Sequence, residues 1–499
     1  MQKKQTILVV ASLLVVVLSV TLAYFTAQII GKGKNISVSS ADLKIVFTDT
    51  DGNIEGNGIT PGWSNSKTFT VKNESNGTYK YDIIIKDLIN TFKTYKYLQY
   101  KITSTDGGYN MTDYSYLPKS STKEDVALAY EVSIDKGKTH TYTIEIRYVN
   151  DESVDQSIDM GQSLSGTIYI REFTKPTMKL TDKLMADNPT IGTRTTFTAF
   201  TETNTGTLYK ATEQIGTNPV KDVYYFAGDV KNNWVKFAGF YWRIIRTNAD
   251  GSIKLLYAGT SPDTEKAFIG ESAFNSTQND PMYVGYKYGT TGSLENNRLN
   301  TNNSTIKTYV DNWYKNNLTA YTKYLSNDAV YCNDRNLASG QTYSTTSSFN
   351  YAPYERIYTN KQPTYNCTNM SDAFSVNNTS AKLNYPVGLM SIDELSYAGG
   401  EAITELFAPY AWYYTNANGK SITGSAPFWT LSPSSSGGSY SGVWYVLGSD
   451  LPGGLIDIHL VDSVAVRPSV SLLSCNLISR GNGNPENPYE VYTGSGVCE

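Results

Sequence analysis

The sequence predicts a mainly β protein in two folded parts behind an apolar N-terminal segment. Three observations carry this expectation. Residues 1–30 hold a long uncharged run, residues 35–173 alternate apolar and polar side chains in several short stretches, and residues 221–499 mix hairpin strands, two short helices and four cysteines. At 499 residues the chain exceeds what one core organises, so two domains and a connector are expected.

The first element follows Lys3 and Lys4. From Ile7 to Ile30 no residue is charged, and the core ILVVASLLVVVLSVTLA is long enough to cross hydrocarbon as a helix. Lysines before it and a nearly neutral remainder orient the N-terminus inward. Two outcomes stay open. Thr21 and Ala23 place small residues where a signal peptidase needs them, giving cleavage between Ala23 and Tyr24. Without cleavage, residues 1–30 are a signal-anchor helix, single-pass, with the ectodomain outside. The expected location is therefore membrane-anchored, or secreted and cell-surface after cleavage.

Next come strands with period two: Phe69 and Val71; Tyr79, Tyr81, Ile83 and Ile85; Leu98, Tyr100 and Ile102; Val126, Leu128, Tyr130, Val132 and Ile134; Tyr142, Ile144 and Ile146. The turns DKGK and STDGG separate them. Short strands with one apolar face make a β-sandwich over 35–173. His140 shares the parity of Tyr142 and Ile144 and reads as an inward, satisfied side chain. Asp49, Asp51, Asn53 and Glu55 raise calcium as a cofactor, but their spacing does not fit an EF-hand loop, so a polar turn and no cofactor are expected.

The strings VTLAYFTAQIIG, SSADLKIVFTD and ITPGWSNSKTFTVKNES resemble the TasA/camelysin-type proteins of Gram-positive bacteria, over about residues 5–173. That resemblance implies a jelly-roll sandwich, export with cleavage before a Tyr-Phe pair, and a role in extracellular matrix or fibres, hence self-association through the sandwich. The family's peptidase label finds no metal motif or nucleophile arrangement here.

Residues 174–220 lose the alternation and gain Thr, Asn, Gly and Pro, reading as a connector with a short helix at 178–186. The second domain, 221–499, opens with a hairpin, VKFAGFYWRIIRT and SIKLLYAG, joined by Asn248-Ala249-Asp250-Gly251. Ile306, Val310 and Trp313 recur at helical spacing behind Ser304, and Ser391 to Glu394 is a capping box closed by Gly399. The strands FWTLSP, GVWYVLG and VAVRPSVSLL end the domain, and Pro485 to Pro488 reads as a turn. Hairpin, two helices and closing strands is the element order of the α+β C-type-lectin-like fold. FAGFYWRIIRTNADGSIKLLYAG, STIKTYVDNWYKNNL and YPVGLMSIDELSYAGG resemble uncharacterised domains of Gram-positive surface proteins, over about 180–492. The fold's sugar-site calcium motifs, Glu-Pro-Asn or Gln-Pro-Asp with Trp-Asn-Asp, do not occur.

The four cysteines, Cys332, Cys367, Cys475 and Cys498, read as two disulfides in an exported chain. Proximity favours Cys332 with Cys367 and Cys475 with Cys498, although three pairings exist. Trp429, Trp444 and Arg467 suggest a ligand contact; the plainer reading, two core tryptophans and an arginine bonded to carbonyls, is preferred.

Composition narrows the function. Charged residues are 18% of the chain and the net charge is −4, so no basic face serves nucleic acid. With two histidines, His140 and His459, in different domains, imidazole-based triads and multi-histidine metal sites are excluded. The 40 tyrosines suit contact with sugars or protein surfaces. A structural or adhesive surface protein that binds a glycan or protein ligand is expected, rather than an enzyme. The alternative is a secreted hydrolase: a peptidase, or a glycosidase built on carboxylates such as Asp393 and Glu394.

Overall fold

The computed structural model describes residues 59–449, 451–494 and 496–498, together with the backbone of four N-terminal strands, Thr26–Ile29, Ile36–Ser39, Lys44–Asp49 and Ile54–Asn57. The chain divides into two compact units, Met1–Lys175 and Pro176–Glu499. Both are mainly β. The apolar run up to residue 25, the cleavage pair Ala23 and Tyr24, and the Asp51 and Asn53 positions lie outside the described residues. Among those described, no helix is long and apolar enough to cross a membrane. The end of the apolar run, Thr26–Ile29, is strand rather than membrane segment.

In the first unit the N-terminal strands are β1 (Thr26–Ile29), β2 (Ile36–Ser39), β3 (Lys44–Asp49) and β4 (Ile54–Asn57). They are followed by β5 (Ser64–Asn73), β6 (Tyr79–Asn90), β7 (Leu98–Ser104), β8 (Ser115–Tyr116), β9 (Ser120–Ile134), β10 (Thr139–Tyr148) and β11 (Ser163–Glu172). Five form one sheet in the order β4-β1-β11-β6-β9, and six the other, β2-β3-β5-β10-β7-β8. The predicted parity is what the core uses: Phe69, Val71, Tyr81, Ile83, Ile85, Ile102, Ile144 and Ile146 are fully buried in one cluster fed by both sheets. Alternation with one buried face is the reason these segments pair face to face. Tyr130 departs from it. Glu131 takes φ +51°, and the register slips so that Ala129, not Tyr130, opposes Ile83; this is a bulge, which turns Tyr130 partly outward. His140 points inward, with Nδ1 2.8 Å from the Tyr81 hydroxyl.

The second unit begins earlier than the sequence implied. The predicted connector, 174–220, is folded: α1 (Leu180–Asp187), then β12 (Thr190–Gly192) and β13 (Thr207–Glu213). β13 pairs antiparallel with β14 (Lys221–Tyr225). β13 buries only Leu208 and Glu213, because it lies near the sheet edge and needs little apolar surface. That is why its Thr-rich sequence carries no strand signal.

The hairpin comes next, as β15 (Trp234–Phe237), β16 (Phe240–Thr247) and β17 (Ile253–Tyr257). Ala238 and Gly239 both have positive φ, a tight two-residue turn inside the run read as one strand. Between β16 and β17, Gly251 at φ +82° supplies the left-handed residue, and Asn248 N–H donates to the Ser252 carbonyl at 2.8 Å. Every residue of β17 is buried.

The helices α2 (Thr305–Asn317) and α3 (Ile392–Ala398) stand where the spacing put them, capped by Ser304 and by the Ser391–Glu394 capping box, with Gly399 left-handed after α3. VAVRPSVSLL serves two sheets. Val464–Ala465 joins the sheet of Phe428–Ser436, and Ser469–Leu472 pairs with β17. Pro468, with no N–H to give a ladder, sits at the switch. Both disulfides are present as proximity favoured, Cys332–Cys367 and Cys475–Cys498. They indicate an extracellular or otherwise oxidising environment. The segment 484–487 is a turn closed by Asn487 N–H to the Asn484 carbonyl at 3.0 Å.

Candidate functional site

The residues singled out as a ligand contact are interior. Trp429, Trp444 and Arg467 are at most 1% exposed, so the contact reading fails and the plainer one holds. The Trp429 indole donates to the Ser272 carbonyl at 2.8 Å. Arg467 donates to the Tyr257 and Tyr413 carbonyls at 2.8–3.1 Å and lies over the Phe428 ring. Burial pushes its guanidinium down to about 9.

Sequence reasoning missed a network of buried charges around Glu394. Its Oε1 accepts from Arg246 on β16 at 3.0 Å and from Lys254 on β17 at 2.7 Å, while Oε2 accepts the Ser391 N–H that completes the capping box. Arg246 also reaches Glu213, the last residue of β13, at 2.8 Å. All four side chains are at most 4% exposed. Burial alone would raise the Glu394 carboxyl, but Lys254 and Arg246 hold it below the usual range. Burial pulls the Lys254 ammonium down against the pull of Glu394.

Beside this network, Arg356 grips Asp393 with two bonds of 2.9 Å and Asp334 with one of 2.8 Å. Burial raises the Asp334 carboxyl against the opposing charge of Arg356. Arg335 and Arg298 share Asp372. The space among Glu213, Arg246, Lys254, Asp393 and the Cys332–Cys367 bridge is about 20 Å³, room for a single water. Each carboxylate here faces a cation, so the arrangement fixes β13, β16, β17 and α3 to one another; Asp334, Arg356 and Asp372 also line a recess of about 220 Å³.

Outside the Glu394 network opens a cleft of about 460 Å³. Glu213 and Ile215, just past β13, form one wall, and the β16–β17 turn, Asn248 to Asp250, forms another. Asp328, Val330 and the 370–378 loop complete it. The Cys332–Cys367 bridge holds these walls together: Cys367 N–H donates to the Gln214 carbonyl at 2.8 Å, and Gly216 N–H to the Cys367 carbonyl at 3.0 Å. Among the described residues no group of three His, Cys, Asp or Glu side chains is placed to hold a metal ion.

No family model matches the chain, and no curated protein matches it. Among solved structures, AvmM, which catalyses macrocyclization in alchivemycin A biosynthesis, is 8% identical, covering 30% of this chain and 100% of its own, with a TM-score of 0.15. A family 123 glycoside hydrolase from Clostridium perfringens, studied for glycolipid glycan hydrolysis, is 5% identical over 32% of this chain and 37% of its own, with a TM-score of 0.10. Likenesses this slight carry no argument about fold or activity.

Proposed function

We propose that the chain is an exported bacterial surface protein with a structural and adhesive role, whose second unit binds an extracellular glycan or protein in the cleft beside Glu213, Asp250, Asp328 and Met370. The first unit is, on this reading, a jelly-roll sandwich of the TasA/camelysin type acting as stalk or fibre subunit, and the second a C-type-lectin-like frame. The apolar N-terminal segment delivers both to the cell surface.

The observation that carries the reading is a preformed recess of about 460 Å³ whose walls are held by a disulfide and a buried charge network. Ligand sites are concave, of this size, and largely built before the ligand arrives. Hydrolysis is the weaker reading. A glycosidase needs one protonated and one ionised carboxyl across its substrate, whereas Glu213, Asp334, Asp393 and Glu394 each already hold a cation and Asp250 and Asp328, on the cleft lining, are both exposed. The exported chain is expected to be retained on arrays of glycans, mucins or matrix proteins, with no cleavage of what it binds. Absence of retention on all of them would overturn the binding function.

A further inference from the structure

We propose that the cleft takes a lysine or arginine side chain presented by a protein ligand, an inference that rests on the ligand-binding reading of the same cleft. A recess of about 460 Å³ accommodates such a side chain with part of its peptide. The walls offer two kinds of surface. Ile215, Val330 and Met370 present aliphatic groups, against which the stem of a long cation packs while its head stays polar.

Asp250 and Asp328 supply the charge. Both are exposed on the cleft lining, and the partners that hold them are neutral. Asp250 accepts from Ser252 N–H at 2.9 Å and from the Ser326 hydroxyl at 2.6 Å, and Asp328 accepts from the Asn377 amide at 2.8 Å. These donors orient the carboxylates without cancelling their charge. Glu213 on the same wall differs, because Arg246 already compensates it.

Asn248, at the start of the same turn, is held from within. Asn248 is 5% exposed and lines the cleft. Its amide nitrogen donates to the Ser252 and Ser471 hydroxyls at 2.8 and 3.1 Å. Its Oδ1 has no hydrogen-bond partner among the described residues. Lys221 is the one cation of the described lining, so acceptors are in excess. No aromatic ring lines the recess among the described residues, which leaves a pyranose without a stacking face.

The test uses the full exported chain with both disulfides formed. Acetyl-Gly-Lys-Gly-amide, its arginine counterpart and its norleucine counterpart are titrated by calorimetry at low salt, beside glycan and matrix-protein arrays. The lysine and arginine peptides are expected to bind about fivefold more tightly than the norleucine peptide, and to weaken as salt is added. Asp328→Asn is expected to lower the affinity about threefold. Asn377→Lys, which leaves every carboxylate in place but sets an ammonium beside Asp328, is expected to do the same. Thermal unfolding of each variant identifies a loss that comes from misfolding. Equal binding of the norleucine peptide, or peptide binding untouched by both substitutions in folded protein, would overturn the proposal. Retention of neutral glycans with no peptide binding overturns the cationic class and leaves the adhesive reading standing. Retention of nothing overturns both.

Discussion

At Glu394 a single carboxylate closes the first turn of α3 and pairs with two buried cations, Arg246 and Lys254, the charge being balanced by Glu213 on Arg246. Breaking a buried pair leaves an uncompensated charge in low dielectric, which costs more than the pair itself contributes. Glu394→Gln is therefore expected to destabilise the second unit by about 3–5 kcal/mol. Adding Lys254→Met should restore part of that loss by removing the stranded ammonium, since Arg246 keeps Glu213. Denaturant unfolding followed by tryptophan fluorescence reads this directly, because six of the 7 tryptophans lie beyond residue 176. The sequence announced only half of this residue's role. The spacing of Ser391 and Glu394 marks the cap, but Arg246 and Lys254 lie 148 and 140 residues away, and no local pattern connects them. His140 was more legible, because strand parity alone turns it inward. It sits against the Tyr81 hydroxyl, which in turn lies 2.6 Å from that of Tyr142. Burial lowers its affinity for a proton, against the raising influence of Asp106 and Asp135. The unfolded chain then binds the proton more readily, so the first unit should lose stability as pH falls below the ordinary histidine value of 6.5. His140→Gln should flatten that part of the pH–stability curve; an unchanged slope would assign the titration to other groups.

At the scale of elements, legibility followed the hydrophobic period. β5, β7 and β10 bury their predicted residues because one face of each meets the core, while β6 leaves Tyr79 half-buried and buries every residue from Tyr81 to Ile85. β12 and β13 escaped notice because strands at or beside a sheet edge are held by their neighbours' hydrogen bonds rather than by an apolar face of their own. The cleft inherits that blind spot, since Glu213 and Ile215 belong to the supposed connector. Cysteine spacing was informative for the opposite reason: it reports a covalent constraint that needs no periodicity. The Cys475–Cys498 bridge closes a separation of 23 residues. Restricting the unfolded chain over such a loop contributes on the order of 3 kcal/mol. Tyr489–Val491 within it runs parallel beside β15. Replacing both cysteines by serine should therefore lower the unfolding midpoint of the second unit and expose the 478–491 strands to amide exchange. Full protection after replacement would mean that the sheet contacts alone hold the segment.

For the whole molecule, the two disulfides mark an extracellular or otherwise oxidising environment, and in the second unit they and the buried charge network stand beside an open recess. The β class was readable from alternation. The cleft was not, because its walls come from segments near 213, 250, 328 and 370 that only the folded sheet brings together. Export is the claim on which adhesion depends, and it is tested most directly in the native host. Intact cells are treated with a membrane-impermeant protease and thiol reagent, and the recovered chain is titrated for free sulfhydryls. The expected result is a chain fully accessible from outside with no free thiol. A chain protected inside the cell with four reduced cysteines would contradict it.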